Sequence, residues 1–207
     1  MEKTVGEALQ KALLEEEAPS VFLEALRQRE ALSPALAPLA ALIGVPQNPA
    51  YHAEGDVWAH TMLVVDAAAA LRSQAKEPRG FMLAALCHDL GKALTTEVVD
   101  GRIRSYNHEN AGIPLAKELL RALGITDAAL TDYVCNMVKL HMRPNALAAQ
   151  GSGVKATNRL FRESCCAPDL VLLAAADRNG RITTQKATDD AAERYLAERL
   201  QLFLQNG

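Results

Sequence analysis

The stretch ALCHDLGKAL, Ala85–Leu94, closes an apolar run, FMLAALC from Phe81 to Cys87, with a histidine and an aspartate side by side. Read as a helix, Phe81, Ala84 and Ala85 fall seven, four and three residues before His88. The imidazole therefore continues the apolar stripe instead of leaving it. A polar pair at the end of a core-facing stripe needs partners in the interior, and the rest of the chain has to supply them.

The chain holds five histidines, at positions 52, 60, 88, 108 and 141. His60 shares a helical face with Val57, Val64 and Leu71; His141 follows Val134, Met137 and Val138; Asp177 follows Leu170, Leu173 and Ala174. Side chains at these offsets lie on one side of a helix, so four helices each aim a polar group inward. One hydrogen bond satisfies a lone inward histidine, but a buried unpaired carboxylate costs several kcal/mol. One divalent cation, or a pair, answers all four helices together. Imidazole and carboxylate without thiolate suit manganese, iron, nickel, cobalt or zinc, and argue against a structural zinc site. With two ions, the carboxylate of Asp89 is the natural bridge, one oxygen to each. His108 opens a helix and reaches a second ion with His141. His52 lies in the loop segment YHAEGD, with no stripe to aim it.

Outward from this centre the pattern is helical. Apolar spacing predicts helices over 3–17 and 20–32, the second capped by Ser20, and a short one in SPALAPLAALIG stopped at Gly44. VPQNPAYHAEGD, 45–56, reads as loop. Helices follow over 57–73 and 79–90. TTEVVDGRIRSY alternates around Asp100-Gly101 and predicts a β-hairpin near 96–106, the chain's one strand signal. Helices resume at 108–123, closed by Gly124, and at 126–142, closed by Pro144; NALAAQGSG reads as loop. Further helices are expected at 154–163, 168–178 and 184–205. The fold class is all-α with one small hairpin. Residues 1–207 are expected to form a single helical domain, with its core at about 45–182, N-terminal helices in 1–44 and a C-terminal helix at 184–205.

Composition sets limits on function. A net charge of −3 gives no whole-protein attraction to nucleic acid or anionic membrane. Aromatic residues are 4% of the 207, and alanine and leucine dominate, which favours closely packed helices. The four cysteines, at 87, 135, 165 and 166, contain no C-x-x-C pair and are read as small buried hydrophobes in a reducing compartment. The first residues, MEKTVGEALQKALLEEE, lack a signal-peptide core, and no apolar run is long enough to span a bilayer, so a cytoplasmic location is expected.

The order His…His-Asp…His…His…Asp on a helical domain resembles the HD-domain superfamily of metal-dependent phosphohydrolases. The segments that carry the likeness are WAHTMLVVDAAA, LCHDLGK, NHENAG, KLHMRP and LAAADRNGR. The set is most similar to the C-terminal HD domain of bacterial tRNA nucleotidyltransferases, the CCA-adding enzymes, over roughly residues 40–182. The run from His52 to Thr61 and ADRNGR at 176–181 match best. By that resemblance His60, His88, Asp89 and Asp177 form the core metal site, and His108 and His141 complete a second. Asp89 and Lys92 are the catalytic residues, Lys92 steadying the phosphoryl oxygens while metal-activated water attacks phosphorus.

Lys92, Arg143, Arg178 and Arg181 are the candidate substrate-side cations, because each lies close in sequence to a ligand. The resemblance implies one or two divalent ions and a small nucleotide or other phosphoester substrate, or an RNA end, with 2′,3′-cyclic phosphodiesterase, 2′-nucleotidase and phosphatase activities. Residues 1–50 hold neither the Gly-Ser motif nor the paired aspartates of a nucleotidyltransferase head, so nucleotide addition to tRNA is not expected. Three alternatives stay open on the same ligand order: another HD nucleotidase, acting on deoxynucleoside monophosphates or an alarmone; a di-iron oxygenase; and a non-catalytic sensor that keeps the metal.

Overall fold

The computed structural model describes residues 4–32, 34–182 and 186–206. Its elements are α1 (Val5–Glu15), α2 (Ser20–Gln28), α3 (Ala37–Ala40), α4 (Val57–Leu71), α5 (Pro78–Cys87), α6 (Lys92–Thr95), β1 (Thr96–Val99), β2 (Arg102–Ser105), α7 (His108–Ala122), α8 (Ala128–Leu140), α9 (Met142–Ala149), α10 (Val154–Glu163), α11 (Ala167–Asn179) and α12 (Lys186–Gln205). The expected helices over 3–17 and 184–205 begin on residues outside the described ones; within them the elements start at Val5 and Lys186.

Helices α4 and α5 form the centre. In α5 every residue from Gly80 to Cys87 is buried, and α4 buries Val57, Trp58, Met62, Val64, Val65, Ala68 and Ala69 together with His60 and Thr61. Helices apolar around most of their circumference can only be interior ones. Accordingly α11 packs on α4, α8 on α5, and α7 on α8, while α4 and α5 pack on each other. Helix α4 is started by Asp56, whose carboxylate accepts from the Ala59 N–H at 2.8 Å, a cap of about 1 kcal/mol. The other Asp56 oxygen accepts from the Gly44 N–H at 2.7 Å and ties the 45–56 loop to its own helix.

The hairpin pairs β1 and β2 antiparallel with Thr96 opposite Ser105, and Asp100 and Gly101 both take the left-handed conformation that a two-residue turn requires. Among the described residues it is the only sheet.

Local readings are corrected in three places. NALAAQGSG is not a loop throughout: Asn145–Ala149 belong to α9. Pro144 has no N–H to donate back to the end of α8, so the ladder breaks there, yet proline fits a first helical turn and a new helix starts at Met142. Ser20 does not cap α2. The cap position is Pro19, and the Ser20 hydroxyl donates instead to Asp66 at 2.6 Å. Of the cysteines, all free, Cys87 and Cys135 are buried, but Cys165 is exposed and Cys166 half-buried. No described helix is long and apolar enough to cross a membrane.

Candidate metal centre

Each of the polar stripes ends at one point. His60 comes from the first turn of α4, His88 is the residue closing α5, His108 opens α7, His141 closes α8, and Asp177 lies in the last turn of α11. Asp89, on the turn after α5, stands in the middle and is 2% exposed. Its two oxygens face different partners. Oδ2 lies 3.2 Å from His88 Nε2 and 3.7 Å from His60 Nε2; Oδ1 lies 3.2 Å from His108 Nε2 and 3.6 Å from His141 Nε2. Asp177 Oδ1 is 3.2 Å from His60 Nε2, and Asn145 Nδ2 donates to the other Asp177 oxygen at 3.3 Å. Two donor sets result, His60–His88–Asp177 and Asp89–His108–His141, each with its ligand atoms gathered within 4.8 Å.

The far sides of the rings are all anchored. Nδ1 of His88 donates to the Ala85 carbonyl at 2.8 Å, that of His108 to the Ser105 carbonyl at 2.8 Å, and that of His141 to the Val138 carbonyl at 2.7 Å. A carbonyl only accepts, so these nitrogens carry the hydrogen and each Nε2 presents a lone pair to the centre. His60 Nδ1 is held the same way by Glu54 Oε1 at 2.9 Å.

This arrangement tests whether the residues fit a metal. The Nε2 atoms of His108 and His141 are 3.3 Å apart, and two lone pairs that close repel unless a positive charge sits between them. The buried His88 Nε2 and both Asp89 oxygens meet no partner in hydrogen-bonding geometry, although charged neighbours surround them. Atoms that crowd without pairing are aimed at a common point. With metal–ligand bonds of about 2.1 Å, neighbouring ligands on one ion lie about 3.0–3.4 Å apart, and four of the separations above fall in that range. The residues fit one ion on each side of Asp89.

Electrostatics agree with a cationic occupant. Burial pushes the Asp89 carboxyl up, but the neighbouring His88, Lys92, His108 and His141 outweigh it and hold it well below the usual carboxylate range. Asp177 is likewise depressed, burial being overcome by His60. His60, pulled down by burial, is raised to about 9 by hydrogen bonds with Asp177 and Glu54. Burial pushes Glu54 up, but His60, the Ile182 N–H and His52 bring it to about 2. His141, buried among other imidazoles, is lowered and stays neutral.

A pH dependence follows. In the metal-free protein a His60 raised to about 9 contributes stability that is full below its unfolded value of 6.5 and is lost as pH rises through about 9. An ion must displace that proton, so metal affinity should rise with pH from 6.5 towards 9, by about tenfold per unit for each proton released. Titration calorimetry of manganese in two buffers of different ionisation enthalpy should show proton release at pH 7. Affinity that is flat with pH and no release would overturn this.

Two glycines make the convergence possible by close approach. A Cβ on Gly91 would lie 2.0 Å from the His108 carbonyl oxygen and 2.6 Å from the Gly112 nitrogen, so only glycine lets the turn after Asp89 press against α7. A Cβ on Gly180 would lie 2.4 Å from Val64 Cγ2 and 2.7 Å from the Val64 nitrogen, so α11 ends flush on α4 and Asp177 meets His60.

The substrate-side cations divide. Lys92 Nζ is 2.7 Å from Asp89 Oδ2 and donates to Gln47 Oε1 at 2.8 Å, beside the centre. Arg143 does not join it: the side chain is exposed and ion-paired with Glu163. It lies two residues beyond His141, a rotation of about 200° on a helix. Arg178, one residue beyond Asp177, is rotated about 100° from it; it is buried and donates to the Asn145 side chain. Arg181 follows the end of α11, four residues beyond Asp177. His52, half-buried, donates from Nδ1 to Glu54 Oε1 at 2.7 Å, and its ring meets His60 edge-on at 4.8 Å.

Glu54, Gln47 and Asn145 were not anticipated as parts of the site. Glu54 stands in the quoted loop run two residues after His52, where no periodicity aims a side chain. Asn145 lay in the segment read as loop.

Comparison with known proteins supplies the relationship. The HD domain family model matches residues 57–180. The chain is similar to proteins named multifunctional CCA protein: 33% identical over 79% of this chain in Actinobacillus pleuropneumoniae serotype 5b, 34% over 83% in Pasteurella multocida, and 32% over 93% in Mannheimia succiniciproducens. These matches cover 40%, 41% and 46% of the relatives, so the chain spans less than half the length of the curated relatives it matches.

Proposed function

Because this chain belongs to the HD-domain superfamily of metal-dependent phosphohydrolases, we propose that its centre hydrolyses phosphoesters of nucleotides, opening 2′,3′-cyclic phosphates and removing 2′-phosphates. The observation that carries this reading is the divided carboxylate of Asp89, with two imidazole Nε2 atoms turned to each oxygen. On this reading His60, His88, Asp177 and Asp89 hold one divalent ion, and Asp89, His108 and His141 hold a second. The bound ions supply Lewis acidity, lowering the pKa of water towards about 7 and neutralising phosphoryl oxygens.

The protein's own groups do the rest. The Ala85, Ser105 and Val138 carbonyls and Glu54 fix the four ring planes, so no ligand has to reorient during the reaction. Asp89, kept ionised, would offset part of the charge of the ions it helps to hold. The Lys92 ammonium, steadied by Gln47, stabilises charge that builds on the phosphoryl oxygens. A cleft of about 250 Å³ lined by Gln47, His52, Lys92 and His108 among others reaches the centre from the side of Lys92 and His108, while His60, His88 and His141 are buried.

The test is a screen of the manganese-, cobalt- or nickel-loaded protein against 2′,3′-cyclic nucleotides, nucleoside 2′-, 3′- and 5′-monophosphates and p-nitrophenyl phosphates. Opening of 2′,3′-cyclic AMP faster than hydrolysis of a generic monoester is expected. No turnover of any phosphoester with any of these metals would overturn the reading.

A further inference from the structure

The cleft over the centre is also lined by Asn48, Tyr51, Ile103, Arg104, Tyr106 and Met142. The chain is poor in aromatic residues, nine in all. Among the described residues, the large hydrophobic side chains left exposed include just two aromatic ones, Tyr51 at 50% and Tyr106 at 62%, and both line this cleft. They come from separate segments, the loop before α4 and the residue after β2. An exposed tyrosine keeps apolar ring area in water, and nothing in the packing of the core requires that at either position. The Arg104 guanidinium lies 5.9 Å from the Tyr106 ring centroid, a distance at which a cation and an aromatic face attract. Met142, 44% exposed on the same cleft, adds a soft apolar contact.

We propose that Tyr51 and Tyr106 form the base-binding wall of the cleft, stacking on the nucleobase of a nucleotide whose phosphoester lies over Asp89, with Arg104 positioning Tyr106. This rests on the phosphohydrolase reading and narrows its substrate to an unpaired nucleotide, since a base within a duplex has no free face to offer. Stacking is indifferent to the edge of the base, so the wall selects an aromatic base over a bare sugar phosphate and prefers purines for their larger face. A cleft of about 250 Å³ takes one nucleoside; it is small beside ordinary ligand sites of about 300–1,000 Å³. The hairpin thereby acquires a role. It carries Arg104 and delivers Tyr106 to a cleft that the helices alone leave open.

The experiment compares wild type with Tyr51→Leu, Tyr106→Leu, Tyr106→Phe and Arg104→Met, none of which touches the ligand set. Base stacking contributes enough that losing one ring should raise KM for 2′,3′-cyclic AMP about tenfold or more, with kcat and the turnover of glycerol 2-phosphate unchanged. Tyr106→Phe should keep the wild-type KM, because the ring and not the hydroxyl is used. Binding of adenosine, which has no phosphate, is measured separately by calorimetry. Loss of adenosine binding in Tyr106→Leu supports the wall even if no phosphoester is turned over, whereas failure of the phosphohydrolase reading alone leaves that binding intact. Absence of adenosine binding by wild type, or an unchanged KM in both leucine variants, overturns the proposal.

Discussion

Asp89→Asn should abolish stoichiometric metal binding and lower turnover by about 10³-fold or more. The amide keeps the volume of the carboxylate and loses its charge, and among the described residues Asp89 is the one carboxylate whose two oxygens face both pairs of rings. Each tenfold in rate is about 1.36 kcal/mol, so the loss asked for is about 4 kcal/mol, which the removal of both ions readily supplies. The metal-free protein should suffer as well. Asp89 is buried among four imidazoles and Lys92, and stripping one partner from a buried charged cluster costs about 3–5 kcal/mol. Elemental analysis and thermal unfolding, with and without manganese, separate the two effects: the wild type gains stability from the ion and the variant does not. An asparagine variant with a full complement of metal and kcat within tenfold of wild type would remove Asp89 from the bridging position.

Lys92→Met should leave metal content intact while kcat falls by about 10²–10³, the size of effect seen when a fixed donor to developing charge is lost. The ammonium competes with the ions for Asp89 Oδ2, which it approaches to 2.7 Å, so its removal gives no reason for metal affinity to drop. A rival role, neutralising the C-terminal end of α5, is worth roughly 0.3–1 kcal/mol of stability and nothing in rate. The contacts disfavour it, since the ammonium is directed at Asp89 and Gln47, 2.7 and 2.8 Å away, and Lys92 itself opens α6. Unchanged kcat with a slightly lower Tm would restore that rival.

Parts of the centre were legible because a helix writes its orientation into spacing. His60, His88, His141 and Asp177 each continue an apolar stripe, and a stripe on a buried helix has one direction to face. The same rotation explains what adjacency misjudged. Arg143 and Arg178 are near ligands along the chain, yet one or two residues of helix carry them about 100–200° away, to Glu163 and to Asn145. Glu54 and Gln47 gave no such signal. They lie in a loop, where backbone conformation is set by contacts such as that of Asp56 with Gly44 and not by a repeat.

By itself the sequence determined that this chain is helical, that its apolar faces enclose several histidines and two aspartates, and that a cation is the partner able to satisfy them together. Those conclusions need only helical periodicity and the cost of burying charge. Tertiary structure decided the rest: which oxygen of Asp89 meets which pair of rings, that Glu54 clamps His60 and His52, and that Tyr51 and Tyr106 share one cleft. These are relations between segments far apart in the chain. They depend on how closely backbones can approach, as at Gly91 against His108 and Gly180 against Val64, and no local pattern of residues encodes such an approach.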